Sequence, residues 1–232
     1  MLVEIEAMGV TRVMTMQSGK DNRFNTDFVA ALNRALDEIE ADDDTRAVVV
    51  TAAQEKFFSN GIDVEWVAKS GPETMKVFFP NFLRMLERFL MFEKPVVAAI
   101  NGHAFAGGFF FAMTVDYRIM RVDRGWCCAN EIDLGLPLCK GLLALPTYVV
   151  GNRIAERIVM TGERFTALAS QELGIIHETA KNEELLDKAV GIANMLGMKN
   201  PKTYADYKRD MRASTSAILL NDAEEYVIPG AE

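Results

Sequence analysis

Pro95-Val96-Val97-Ala98-Ala99-Ile100-Asn101-Gly102-His103-Ala104-Phe105-Ala106-Gly107-Gly108 is the stretch that decides how this chain folds. Its opening is a continuous apolar run without alternation, the pattern of a strand covered on both faces of a sheet. Asn101-Gly102 then turns the chain, and the paired glycines open an apolar helix over about 107–115, followed by a strand over 116–121. Upstream, Ala47-Val48-Val49-Val50-Thr51 is a second strand of the same buried kind. Before it, Thr26 can cap a helix whose apolar positions Phe28, Leu32, Leu36 and Ile39 recur every three or four residues until Asp42-Asp43-Asp44 ends it. Two β-type runs, 3–7 and 12–16, open the chain as a hairpin, and a polar loop over 18–25 follows them. A helical stretch over 73–92 carries Phe78, Phe82, Met85 and Phe89 on one side, with Pro80 predicting a break or kink near its start. Beyond Pro137 the pattern is mainly helical, over 142–150, 153–160, 167–173, 183–196 and 204–220. Repeated strand, helix, strand units predict an α/β fold with a largely parallel sheet and a helical C-terminal region.

The composition bounds the function. The 232 residues, 50% hydrophobic and 25% charged, fit one large globular domain that needs no disulfide to fold. The three cysteines, Cys127, Cys128 and Cys139, lack metal-type spacing and read as buried thiols of a reducing compartment. His103 and His177 lie far from them in sequence, so no metal site is expected. A net charge of −8 and a pI near 5.0, with no basic stripe, argue against a nucleic-acid partner. The N-terminus lacks the order of a signal peptide, and the longest apolar runs are too short to span a bilayer, so no membrane partner is expected. The tail Pro229-Gly230-Ala231-Glu232 matches no retention or peroxisomal address, and a cytoplasmic location is the expectation.

Three segments can carry chemistry. Phe57-Phe58-Ser59-Asn60-Gly61-Ile62-Asp63 leaves a buried strand and enters a helix near Asp63, so its backbone N–H groups are placed to meet an anion, or it is simply a capping turn. Asn101 to Gly108 again leaves a strand and opens a helix; two such turns could aim two N–H groups at one carbonyl oxygen, while close helix packing is the plainer use of the glycines. His103 alone reads as structural. Asn130-Glu131-Ile132-Asp133-Leu134-Gly135-Leu136-Pro137 places a carboxylate in an apolar setting that invites a raised pKa and proton transfer. Read as a strand, it puts Glu131 and Asp133 on one face and Ile132 and Leu134 on the other; exposed edge acids are the alternative.

In their order and spacing these segments, together with Lys94 to Gly108, Asp116-Tyr117-Arg118 and Thr161-Gly162-Glu163-Arg164-Phe165-Thr166, resemble the crotonase (enoyl-CoA hydratase/isomerase) superfamily over nearly the whole chain. The resemblance implies a spiral of β-β-α turns, with a crotonase-like core over 1–195 and a helical trimerisation region over 196–232, assembled as a homotrimer or hexamer. It implies an acyl-CoA thioester as substrate and no separate cofactor, CoA being part of the substrate. Carried across, the two oxyanion-hole donors fall on the backbone N–H groups of Ile62 and Gly107. The CoA adenine and pantetheine fall along Phe58, Ser59, Asn60 and Gly61, with Ile62, Asp63 and Gly107 adjoining.

Of the two glutamates that the family's hydratases use, one aligns with Phe110, which cannot transfer a proton, and the other with Glu131. The stretch around Glu131 also resembles Δ3,Δ2-enoyl-CoA isomerases, which implies a double-bond shift from C3 to C2 by one glutamate through a dienolate held at the oxyanion hole. The Phe109-Phe110-Phe111 cluster would exclude water, with at least one ring facing the core. Hydration, another acyl-CoA lyase or hydrolase reaction, and a non-catalytic acyl-CoA-binding subunit remain alternatives on the same scaffold. Lys208, Arg209 and Arg212 could meet CoA phosphates bound to a neighbour, but a solvated helix face is the simpler expectation.

Overall fold

The two all-apolar runs become adjacent parallel strands, β3 (Ala47–Ala52) and β5 (Val96–Ile100), paired from Val48 opposite Val96. Every residue of β5 is buried, because helices cover both faces of the sheet. The structure, a computed structural model, describes residues 1–225. The tail Pro229 to Glu232 and the end of the 196–232 region lie outside the described residues.

The N-terminal hairpin forms as expected, with β1 (Val3–Met8) antiparallel to β2 (Thr11–Met16), and β2 lies parallel to β3. From β3 onward the chain repeats one unit: a strand in a large sheet, a short strand in a second sheet, then a helix. β3 leads to β4 (Phe57–Ser59) and to α2 (Val64–Ser70) and α3 (Pro72–Met91). β5 leads to β6 (His103–Phe105) and α4 (Gly107–Thr114). β7 (Tyr117–Arg121) leads to β8 (Cys127–Cys128), a 3₁₀ turn (Glu131–Leu134) and α5 (Lys140–Thr161). With β9 (Glu178–Ala180) at its far edge, the large sheet runs β1-β2-β3-β5-β7-β9, and β4-β6-β8 form a small parallel sheet. This is the β-β-α spiral that the resemblance implies, with α1 (Thr26–Ala41) before it and α6 (Ala167–Glu172), α7 (Asn182–Gly197) and α8 (Pro201–Glu225) completing a helical C-terminal region.

Several local expectations change. Asn25, not Thr26, caps α1, its side-chain oxygen accepting the Phe28 N–H at 2.9 Å. α3 runs through Pro80 as one helix, held by buried Phe78, Phe82, Phe89 and their neighbours, so tertiary packing outweighs the lost backbone bond. The segment 131–134 is a 3₁₀ turn and not a strand. Gly135 takes a left-handed conformation (φ 65°), and its N–H and that of Leu136 bond back to Ile132 O and Glu131 O. Glu131 and Asp133 therefore do not share a face: Glu131 is buried, while Ile132, Asp133 and Leu134 are exposed.

The basic residues of α8 also differ from expectation. Lys208 and Arg212 are buried, and both pair with Asp116, at 2.8 and 2.9 Å. Only Arg209 lies outward, pairing with Asp206. Asp116 also accepts the Val96 N–H at 2.7 Å, and Arg212 donates to Leu90 O at 2.7 Å, so the cluster ties α8 to β5 and α3. Removing one partner from such a buried pair typically costs about 3–5 kcal/mol.

Candidate active site

Parallel strands deliver their C-terminal ends to one edge, which is where ligands meet sheets of this kind. In the small sheet those three ends lead directly to the three residues singled out above. Ile62 follows the end of β4, Gly107 the end of β6, and Glu131 the end of β8. The Ala106 N–H donates to Cys128 O at 2.9 Å, which fixes the end of β6 against the end of β8.

Ile62 and Gly107 are brought together. A Cβ placed on Gly107 would sit 3.5 Å from Ile62 N and 3.3 Å from Gly61 Cα; one on Gly61 would sit 2.9 Å from Gly107 N. Among the described residues neither amide donates a hydrogen bond, although Gly107 is buried and Ile62 half-buried. Each follows a residue with left-handed backbone: Gly61 at φ 82° before Ile62, and Ala106 at φ 51°, ψ −126° before Gly107. For alanine this conformation is strained, a cost of about 1–3 kcal/mol that the surrounding packing must sustain. α4 has no side-chain cap: the Phe109 and Phe110 N–H groups donate to Ala106 O at 2.9 and 3.2 Å, while those of Gly107 and Gly108 donate no hydrogen bond among the described residues.

The remaining expected residues fall around this pair. Phe58 and Ser59 are fully buried, with the Phe58 ring stacked on Phe111 at 6.0 Å, so their side chains serve the core and a ligand here would meet backbone. Asn60 donates its N–H to Asp21 O at 3.0 Å, and Gly61 O accepts the Phe24 N–H at 2.8 Å. Asp63 caps α2 through the Trp66 N–H at 3.2 Å, with Arg23 beside it at 3.7 Å. Gly108 is equally constrained, since a Cβ there would fall 2.4 Å from Ser59 O. Phe109, Phe110 and Phe111 are all fully buried, and no ionisable group stands at 110.

Glu131 is 8% exposed, and its Oε2 has no partner among the described residues. Burial pushes its carboxyl up to about 7, against a smaller opposing effect from its own backbone N–H. Asn130 Oδ1, next in sequence, is likewise buried and unpartnered. The turn carrying Glu131 rests on Gly162, where a Cβ would fall 2.9 Å from Asp133 Oδ2. His103 sits among Phe57, Phe105 and Trp126, with ring centroids 4.9–5.2 Å away. Burial first, then Lys56, Arg124 and Arg164, lower its pKa, so it is a neutral member of an aromatic cluster.

Two contributors were missed in the sequence. Ala106 carries no compositional mark. Asn22, fully buried at φ 49°, sits in the polar loop over 18–25. Its Nδ2 donates to Phe58 O at 3.1 Å, its Oδ1 accepts the Ser18 N–H at 2.7 Å, and its carbonyl accepts the Ser59 hydroxyl at 2.7 Å. It therefore clamps the loop that ends in Ile62. Asparagine's tolerance of the left-handed region was the one available signal.

Comparison with known proteins agrees with this architecture. Residues 6–225 match the family model described as enoyl-CoA hydratase/isomerase. The chain is 30% identical to enoyl-CoA delta isomerase 3 of Arabidopsis thaliana, over 89% of this chain and 90% of that protein. It is 31% identical to a carnitinyl-CoA dehydratase of Salmonella arizonae, over 94% of this chain and 82% of that one. The human mitochondrial delta3-delta2-enoyl-CoA isomerase superposes with a TM-score of 0.91 at 25% identity, over 96% of this chain and 87% of the human one. With the matched model spanning nearly all the described residues, the chain belongs to the enoyl-CoA hydratase/isomerase family.

Proposed function

We propose that the protein moves the double bond of a 3-enoyl-CoA thioester to C2. Glu131 takes a proton from C2, giving a dienolate whose charge rests on the thioester oxygen, and returns the proton at C4. The N–H groups of Ile62 and Gly107 hold that oxygen. Losing one such donor typically costs about 10²–10³ in turnover. The observation supporting this reading is the buried Glu131 carboxylate, whose Oε2 has no partner among the described residues, at the end of the same small sheet whose other two strands lead to two amides that donate no hydrogen bond among those residues. Water addition divides its proton transfers between two carboxylates in this family, and position 110 holds a buried phenylalanine.

The test follows absorbance of the conjugated 2-enoyl thioester after adding a 3-enoyl-CoA to the pure protein. The rate should rise with pH up to about 7, as the Glu131 carboxyl ionises to the form that accepts a proton, and level off above it. No conjugated product at any chain length would sink the proposal.

A lyase reading has its own support in the likeness to a carnitinyl-CoA dehydratase. It predicts measurable water addition to crotonyl-CoA, whereas the isomerase reading predicts water addition far slower than isomerisation.

A further inference from the structure

The aim of each donor is set from behind, by whatever holds the carbonyl of the same peptide group. A trans peptide points its C=O and its N–H in opposite directions, and every peptide among the described residues is trans. The Gly107 N–H shares its peptide with Ala106 C=O, which accepts the Phe109 and Phe110 N–H groups and so points into α4. The Ile62 N–H shares its peptide with Gly61 C=O, which accepts the Phe24 N–H at 2.8 Å. Gly107 is thus aimed by its own helix, whereas Ile62 is aimed from the 18–25 loop.

That loop grips Gly61 at both ends, and Asn22 is where the grip converges. Its carbonyl accepts the Ser59 hydroxyl at 2.7 Å, and Ser59 Oγ accepts the Gly61 N–H at 3.3 Å. Phe24, two residues after Asn22, takes the Gly61 carbonyl and also accepts the Asp63 N–H at 2.9 Å. The Asn22 side chain pins the loop itself, donating through Nδ2 to Phe58 O at 3.1 Å and Gln54 Oε1 at 2.9 Å while Oδ1 accepts the Ser18 N–H at 2.7 Å. Other ties of the loop include Asp21 O, which accepts the Asn60 N–H at 3.0 Å, and Arg23, paired with Asp21, Asp63 and Glu65. The Arg23 pairs are partly exposed, so water can stand in for them. Asn22 is fully buried, where a lost bond has no such substitute.

We propose that Asn22 is a positioning residue, holding Gly61 so that the Ile62 N–H meets the thioester oxygen as it gains charge. The proposal deepens the isomerase reading above and rests on it for the ligand whose oxygen that amide meets. Misplacing such a group by about 1 Å costs about 10²-fold in rate, while ground-state binding, spread over the whole CoA ester, changes little.

The experiment compares wild type with Asn22→Gly, Asn22→Asp and Thr11→Val. Glycine keeps the left-handed backbone at 22 and removes the side chain; aspartate keeps the acceptor for Ser18 and removes the donor to Phe58. Thr11→Val is the control for lost stability alone, breaking the buried Thr11–Asn194 bond of 2.7 Å at the end of β2 away from the loop. Three quantities are read: kcat on 3-hexenoyl-CoA, affinity for hexanoyl-CoA by calorimetry, and the infrared carbonyl band of bound hexanoyl-CoA isotope-labelled at its thioester carbon. Hydrogen bonds to that oxygen lower the frequency of the band. Each Asn22 variant should lose about 10–10²-fold in kcat, keep its affinity within a few fold, and return the band toward its position in the free ester. The control should melt earlier than wild type yet keep its kcat and its band. Asn22→Asp keeps the inference testable if the glycine variant does not fold, as its thermal melt reports. Wild-type kcat and band in a folded Asn22 variant, an equal kcat loss in the control, or a loss of affinity matching the loss of kcat overturns the proposal. If no 3-enoyl-CoA is isomerised, the isomerase reading fails and the band decides alone. A downshift in wild type that the Asn22 variants lose then upholds the positioning role, and a band unshifted in wild type or equal in the variants overturns it.

Discussion

Glu131→Gln is expected to lower turnover of a 3-enoyl-CoA by about 10²–10⁴-fold while leaving the affinity for a saturated acyl-CoA within a few fold. The substitution keeps the shape of the side chain and removes its ability to carry a proton between C2 and C4. Binding is spared because the two amides lie in other segments, one after β4 and one at the start of α4. Stability should move the other way, with a definite pH dependence. Burial raises the carboxyl from 4.5 to about 7, so the folded chain retains a proton that the unfolded chain releases within that window. Stability from this group is therefore fully present below about pH 4.5 and lost as pH rises through about 7, a change of about 3 kcal/mol. The Gln variant has nothing to titrate at that position. Its denaturation midpoint relative to wild type should climb between about pH 4 and about pH 8. A variant that isomerises at the wild-type rate, or whose relative stability is flat with pH, contradicts the assignment of Glu131 as a buried base.

Gly61→Ala should reduce turnover by about 10²–10³-fold or more, because it disturbs both donors at once. The added Cβ would lie 2.8 Å from Ala106 Cβ, 2.9 Å from Gly107 N and 3.2 Å from Phe105 O, and none of these atoms ends a flexible side chain. The backbone must therefore move, and what it moves is the spacing of the Ile62 and Gly107 amides. Gly61 also holds φ at 82°, which a residue with a Cβ adopts only under strain. Gly9→Ala is the control: it shares the positive φ, at 65°, but has nothing within 4 Å and lies in the β1–β2 hairpin. It should cost about 1–2 kcal/mol of stability and leave kcat unchanged. Equal kinetics for the two variants would mean that the Gly61 contact does not govern the donors.

These predictions depend on residues that the sequence disclosed unevenly. The strands at 47–52 and 96–100 were legible because a strand covered on both faces must be apolar throughout. β4, β6 and β8 were not, since two or three residues cannot display a period, yet their ends lead to the candidate site. The glycine turns and Glu131 were found through local chemistry and resemblance. The conformation around Glu131 was misjudged, because the alternation of Glu131, Ile132, Asp133 and Leu134 imitates a strand until Gly135 closes it into a turn. Lys208 and Arg212 read as a solvated helix face, and Asn22 carried no mark, because a polar side chain shows nothing of a partner tens of residues away; their partners here are Asp116 and, for Asn22, Phe58 and Ser59.

The pairing of Asp116 with Lys208 and Arg212 bears on how the polypeptide is made. During synthesis the strands around Asp116 leave the ribosome well before Lys208 and Arg212 do. Until those two cations emerge, closing the interior over Asp116 would bury an anion without its partners. Final packing around Asp116 should therefore follow the arrival of α8, which brings Lys208 and Arg212 to it.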